Sequence, residues 1–277
     1  MAVKAEDLWF SYGEGWALKG VSLEIPEGEI VAVVGPNGSG KTTFAKHLIG
    51  LLKPTRGRVL VYGEDTREKS VAELSRLVGY VFQNPNHQIF SETVYDEVAF
   101  GPRNLGFEEA RVKELVESSL KLVGLEGKGE ERPYMLSMGE KERLAIASVL
   151  AMDPRLLILD EPTIGQDRST MSKLIEVVKR LKEEGRTVLL ISHDIDLVYE
   201  HSDYVIVFKG GEVVSEGKVA EVLSDPELTA KASLSLPKLA ELARLLGLDR
   251  LPSSVEDAVE VLMNEVRGIR KEGLANP

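Results

Sequence analysis

The residues Gly35-Pro36-Asn37-Gly38-Ser39-Gly40-Lys41-Thr42 follow the spacing Gly-x-x-x-x-Gly-Lys-Thr. Glycines let a backbone wrap an anion and turn successive N–H groups inward. A lysine at that place sets a point charge against the β- and γ-phosphates of a nucleotide, and the hydroxyl after it can ligate Mg²⁺. Gly35, Pro36, Asn37, Gly38, Ser39, Gly40, Lys41, Thr42 and the adjoining Thr43 are therefore the candidate phosphate cradle. Two acids, Asp160 and Glu161, close an apolar run at Leu156 to Leu159. Asp160, next to the buried run, suits the metal, and Glu161, one position on, can polarise a water for attack on the terminal phosphate. Gln83 ends the run Val78 to Phe82 and can bridge metal and water, while His193 follows Val188 to Ser192 and can reach the same phosphate. His47, His87 and His201 are read as structural.

These groups need elements that bring them to one place. Ile30 to Val34, Leu156 to Leu159 and Val188 to Ile191 are uniformly apolar, as strands covered on both faces are. Helical patterns at Thr42 to Leu52 and Ser172 to Glu184 separate them. The alternation predicts an α/β core with a parallel sheet, whose strands' carboxyl ends bind ligands. Val21 to Ile25 and Gly57 to Gly63 read as antiparallel strands, and Tyr204 to Phe208 with Val213 to Ser215 as a hairpin about Gly210-Gly211. From about Asn84 to Asp153 the pattern is helical, including Phe107 to Val123 and Gly139 to Met152, which predicts an insertion between two core strands. After Ser233 two more helices are expected. One has Pro237 in its first turn; the other is capped by Ser253 with Glu256 and striped by Val255, Val259, Leu262, Val266 and Ile269. The stripe fits either this chain's own core or another subunit.

The chain has 277 residues, 34 basic and 45 acidic, for a net charge of −11. That balance argues against a global hold on a nucleic-acid backbone. The absence of cysteine excludes disulfides and thiolate chemistry. The early charges of Lys4, Glu6 and Asp7 do not suit a secretory signal, and no run approaches the roughly 18 apolar residues of a membrane span.

The order of the pieces resembles the ATP-binding-cassette ATPases: cradle, Gln83, Leu136-Ser137-Met138-Gly139-Glu140, Asp160-Glu161 and His193, over about Val3 to Gly217. The resemblance implies a P-loop NTPase core with an antiparallel β subdomain, a helical subdomain insertion and a small C-terminal helical extension. It gives Tyr12 the adenine, Gln83 and His193 catalytic places beside Glu161, and Thr42, Gln83 and Asp160 the Mg²⁺ that accompanies ATP. It makes Ser137, Met138, Gly139 and Glu140 a signature acting on the nucleotide of a facing second ATPase, and Asp167 the D-loop aspartate. Met138 and Glu140 depart from the commoner Leu-Ser-Gly-Gly-Gln, and Thr163 to Gln166 from the commoner Ser-Ala-Leu before the aspartate. The Met138 and Glu140 departures raise the expectation of a weaker composite site, while the aspartate after Gln166 is kept.

Phe82-Gln83-Asn84-Pro85-Asn86-His87-Gln88-Ile89-Phe90, then Thr93-Val94 and Glu97 to Pro102, is similar to energy-coupling-factor ATPases, including cobalt importer subunits of the CbiO type. That resemblance implies an ATPase peripheral to the cytoplasmic side of the cell membrane, dimeric as a homodimer or heterodimer. It would serve a membrane T component and an S component that binds a vitamin or a cobalt or nickel ion. It divides the chain at 1–233 (ATPase domain, helical subdomain about 84–153) and 234–277 (dimerisation extension). Ile89 and Phe90 would be apolar contacts for the T component, or core. A soluble non-transport cassette acting on nucleic acid or the ribosome, and an importer ATPase of another class, are the alternatives.

Overall fold

The computed structural model describes residues 1–162, 168–248 and 250–263. Strands β1 (Val3–Ser11), β2 (Trp16–Ile25) and β3 (Ile30–Val34) lead into helix α1 (Lys41–Leu48), then β4 (Arg56–Val61), β5 (Glu64–Asp65), α2 (Val71–Leu74) and β6 (Val78–Val81). Helices α3 (Val94–Asn104), α4 (Glu109–Leu122) and α5 (Met138–Leu150) come before β7 (Leu156–Asp160). The chain continues through α6 (Arg168–Glu183), β8 (Thr187–Ile191), α7 (Ile195–His201), β9 (Tyr204–Lys209) and β10 (Glu212–Lys218) to α8 (Val219–Leu223), α9 (Pro226–Ala232) and α10 (Lys238–Leu246).

Two sheets result. The smaller, ordered β2-β1-β4-β5, is antiparallel. The larger is ordered β10-β9-β3-β8-β7-β6; its strands from β9 to β6 run parallel and β10 closes it antiparallel through the Gly210-Gly211 turn. Uniform apolarity of β3, β7 and β8 has its cause in two separate cores. Ile30, Ala32, Val34, Leu157 and Leu159 face the helices. Val31, Val33, Leu156 and Ile158 face the antiparallel sheet and the α1 residues Phe44 and Leu48. Alternate side chains thus serve opposite layers, and between the strand ends both faces are apolar.

The insertion is helical as expected, with α3 preceding the two segments that the sequence pattern marks. Thr93 accepts a hydrogen bond from Asp96 N at 3.0 Å and starts α3, which runs on past Gly101 and through Pro102. Neither residue favours a helix interior; Pro102 has no N–H to give Val98 O, and the helix bears that single loss. Helix α1 stops at Leu48, short of the expected Leu52. Pro237 sits just outside α10 as its N-cap residue. Residues 255–263 are helical, but the cap is Ser254, whose hydroxyl accepts from Asp257 N at 3.1 Å. The expected Ser253–Glu256 box is displaced by one residue, because Ser253 instead donates to the Asp257 carboxylate through N and Oγ. Val255 and Val259 are more than half exposed while Ala258 is buried, so these two stripe residues do not pack on this chain's core. Val266 and Ile269 lie outside the described residues.

Candidate functional site

Parallel pairing aligns the carboxyl ends of four strands. Val33 pairs with Ile191, Ile191 with Asp160, and Leu159 with Val81. The loops leaving β3, β6, β7 and β8 therefore open on one edge, where a cavity of about 560 Å³ is lined by Gly35 to Thr43, Gln83, Glu161 and His193.

The cradle owes its shape to glycine at two places. A Cβ on Gly35 (φ +144°) would lie 2.1 Å from the carbonyl oxygen of Phe208, and one on Gly40 (φ +108°) 2.8 Å from Leu18 Cδ2. Strand β9 and β2 thus press the loop from behind. Helix α1 begins at Gly40 with no side-chain cap and no acid in its first turn, leaving its N–H groups and positive end available to an anion. Lys41 Nζ folds back on the loop, donating to Gly35 O at 2.8 Å and Pro36 O at 3.2 Å. Burial lowers the pKa of Lys41, and the charges of Glu161 and Asp160 oppose that. Ser39 is buried with an unpartnered hydroxyl.

Thr42 Oγ1 donates to Asp160 Oδ1 at 3.2 Å. Hydroxyl and carboxylate are hard oxygen donors, the kind that suits Mg²⁺ together with phosphate oxygens. The second oxygen of Asp160 accepts from Tyr80 Oη at 2.5 Å. Burial, followed by the Asp160 charge, raises the Tyr80 pKa, so the phenol stays a donor. Glu161 sits at φ +52°, a strained conformation for a residue with a side chain, with its N–H bonded to Ile191 O at 2.9 Å. Its Oε2 lies 2.6 Å from His193 Nδ1. With Nδ1–H donating to the carboxylate, His193 Nε2 is left for another partner.

Other expected residues lie apart. Tyr12 does not line the cavity; its ring is exposed, edge-on to Phe10 at 4.8 Å, with its hydroxyl 3.4 Å from Thr43 Oγ1. Ser137, Met138, Gly139 and Glu140 lie away from this cavity, at the start of α5. Ser137 is the N-cap: Glu140 N donates to its Oγ at 3.4 Å, and its own N and Oγ donate to Glu140 Oε2 at 2.9 and 2.8 Å. Lys128 Nζ lies 2.9 Å from Glu140 and, ahead of the Ser137 bonds, holds that carboxyl down to about 2. Met138 takes an ordinary helical backbone, so no glycine is required there. Asp167 lies outside the described residues. Of the two apolar candidates near Gln83, Ile89 packs against the helical core and Phe90 is 65% exposed.

Several residues at or behind the cavity carry no local sequence signal. Tyr80 is an ordinary strand aromatic until β6 is placed beside β7. Ser233, Leu234 and Ser235 border the cavity from the far side of the chain. Lys209 Nζ holds that segment by donating to Lys231 O at 2.5 Å and Ser233 Oγ at 3.1 Å.

The ABC transporter family matches residues 18–164 of this sequence. The energy-coupling factor transporter ATP-binding protein EcfA of Methanocaldococcus jannaschii is 44% identical over 254 residues, 90% of this chain and 91% of that protein. The Caldanaerobacter subterraneus protein TTE1589, which carries an ABC transporter ATP-binding name, is 48% identical over 258 residues; the match spans 93% of this chain but only 45% of that longer relative. Among solved structures, cbiO1 of Clostridium perfringens, described as part of the ABC transporter complex cbiONQ, superposes with TM-score 0.75 at 38% identity, covering 88% of this chain and 98% of that one. A dimeric ATP-binding cassette, MJ0796, bound to ADP and Pi gives TM-score 0.70 at 33% identity over 78% and 98%. The chain belongs to the ABC transporter family of ATP-binding proteins. It is an ATPase cassette built on the P-loop NTPase fold, the ATP-binding component of a transporter.

Proposed function

We propose that this chain is the ATPase of an energy-coupling-factor importer, coupling Mg²⁺-ATP hydrolysis to uptake of a vitamin or a cobalt or nickel ion through membrane T and S components. The observation that carries the reading is the gathering of Lys41, Thr42–Asp160, Gln83 and Glu161–His193 at one sheet edge. The likeness to EcfA proteins and to cbiO1 directs it to this class of importer.

In this mechanism the cradle and the α1 N-terminus bind the phosphates. Lys41 exchanges its loop carbonyls for β- and γ-phosphate oxygens, and Tyr12 stacks on adenine. Thr42, Asp160 and Gln83 hold Mg²⁺, which neutralises phosphate charge when bound. Glu161 orients the attacking water and takes its proton. His193 fixes the Glu161 carboxylate by donating Nδ1–H, and with both ring nitrogens protonated it would also donate Nε2–H to a γ-phosphate oxygen. Ser137 and the following helix act on the nucleotide of the facing ATPase, their distance from this chain's own cavity supporting a role in trans. Asp167 is assigned to the same dimer contact.

Among the described residues no helix is long and apolar enough to cross a membrane. A peripheral position at the cytoplasmic face is therefore proposed, held by the T component. An apolar groove of about 380 Å³ between α2 and α3, walled by Phe100 and Met152, supports that docking. Phe90, 4.8 Å from Phe100, extends it. Residues 234–277 are assigned to dimerisation, supported by the outward Val255 and Val259.

Glu161→Gln is expected to lower turnover at least about 10²-fold while ATP binding survives and trapped dimer accumulates. Unchanged turnover refutes the general-base role. Copurification from membranes with two integral proteins is the expected partner result; recovery of RNA or DNA instead favours a soluble cassette. Truncation for a dimerisation test has to begin at Leu248 rather than Ser233, since Ser233 to Ser235 border the cavity. The shortened chain is expected to bind nucleotide normally and dimerise less, read by analytical ultracentrifugation. Equal dimerisation rejects the interface role.

A further inference from the structure

Gln83 reaches the cavity from a loop with no regular structure beyond a 3₁₀ turn at Pro85–His87. That loop is nonetheless pinned, and much of the pinning runs through one side chain. The amide of Gln88 accepts from Phe82 N at 3.3 Å, at the residue before Gln83. Its other end donates to Ala145 O at 2.8 Å, in the middle of α5, and to Ser148 Oγ at 3.0 Å, in its last turn. A half-buried glutamine with both ends engaged is an oriented bridge rather than a solvated side chain. On the loop's other flank the buried carboxylate of Glu97 accepts from Phe90 N at 3.0 Å and Ser91 N at 2.8 Å, so the segment has little freedom to move independently of the helices. Helix α5 is also the helix whose N-cap is Ser137. From Ser137 to Ala145 is eight residues, about 12 Å of continuous helix.

We propose that Gln88 is a positioning residue that ties the Gln83 loop to α5, so that Gln83 at one phosphate cavity and Ser137 at the opposite end of the helix shift together. The bridge transmits because one side chain engages the loop and the helix at once, and the helix from there to Ser137 is stiff. A movement of α5 on engaging the facing ATPase's nucleotide pulls Phe82, and with it Gln83, in this chain's own cavity. The proposal rests on the reading of Gln83 as acting at the phosphates.

The test uses the full-length chain. Gln88→Met keeps the length of the side chain and removes all three bonds. It is expected to lower kcat about tenfold, as a displacement of an ångström or less can, with the KM for ATP unchanged within about twofold. In a Gln83→Ala background the same change is expected to cost nothing further, because its effect passes through Gln83. Ser148→Ala, which removes one acceptor, is expected to lower kcat by a smaller factor and to be non-additive with Gln88→Met; it also serves if the methionine variant fails to fold. Wild-type kcat in both Gln88→Met and Ser148→Ala, or losses that multiply with Gln83→Ala, overturns the tie. Gln83→Ala turning over at the wild-type rate identifies the Gln83 reading as the failure, and removes the route by which Gln88 acts.

Discussion

The phosphate cavity and the N-terminus of α5 are built in opposite ways, although the proposed chemistry needs one of each at every nucleotide. The cavity is assembled from four strand ends and is tight from behind. Gly35 abuts Phe208, Glu161 is held at φ +52°, and Asp160 is buried between Thr42 and Tyr80. The α5 end is exposed and satisfied locally, with Ser137 and Glu140 in a reciprocal cap and Lys128 alongside. Strain and close approach are affordable where a sheet on two cores over-determines the backbone. A helix end proposed to meet a partner across an interface instead has to be stable alone, and capping supplies that. The departure of Glu140 from the commoner glutamine is explained by this local role: a carboxylate accepts from Ser137 and pairs with Lys128 at once.

The largest test of that contrast is Ser137→Ala. If the α5 end acts only on a partner's nucleotide, the variant loses about 10²-fold in kcat while one chain's affinity for ATP stays unchanged. A matching fall in monomer affinity, by equilibrium titration, would place Ser137 in its own chain's site and break the contrast. Next, Tyr80→Phe frees one oxygen of Asp160 and is expected to weaken metal-dependent nucleotide binding about tenfold, with metal-free binding unaffected. Equal weakening with and without Mg²⁺ would make Tyr80 a packing residue only.

The smallest effects are on stability, and they separate two acids on the same helix. Glu140 is held down to about 2, so its stabilising contribution is present above the ordinary carboxylate range and lost as pH falls toward 2. Glu142, pushed up to about 7 by burial and with Oε2 unpartnered, behaves in reverse. The folded chain holds its proton more tightly than the unfolded one, so stability is full below the ordinary range and declines as pH rises through about 7. Glu140→Gln is expected to lower the melting temperature by ~2–4 °C at pH 7 and by less as pH is lowered below 5, whereas Glu142→Gln raises it at pH 8 and leaves it unchanged at pH 5. Parallel shifts for both variants would remove the distinction between the capped and the buried position.

Much of the cavity could be read along the chain because its parts obey local rules. A loop that wraps an anion must have glycine where Gly35 and Gly40 stand, and a strand covered twice is apolar along its length between the ends, as Ile30 to Val34, Leu156 to Leu159 and Val188 to Ile191 are. Lys41 and Thr42 as candidates followed from the glycine spacing before them, and Asp160, Glu161 and His193 from residue type at strand ends. Helix α3 was harder, since Gly101-Pro102 imitates a terminus, and the Ser254 cap was hidden by a neighbouring serine with the same spacing to an acid.

Residue order by itself determined the cradle, the strands that feed it and the acids that face it, because backbone conformation and two-sided burial constrain residue types within a few positions. Only the tertiary structure decided that Tyr80 would hold Asp160, that Ser233 to Ser235 would border the cavity, that Gln88 would reach α5, and that Glu140 and Glu142 would titrate in opposite directions. Those outcomes depend on sheet register, helix packing and burial, which join residues far apart in the chain and leave no mark on either one's neighbours.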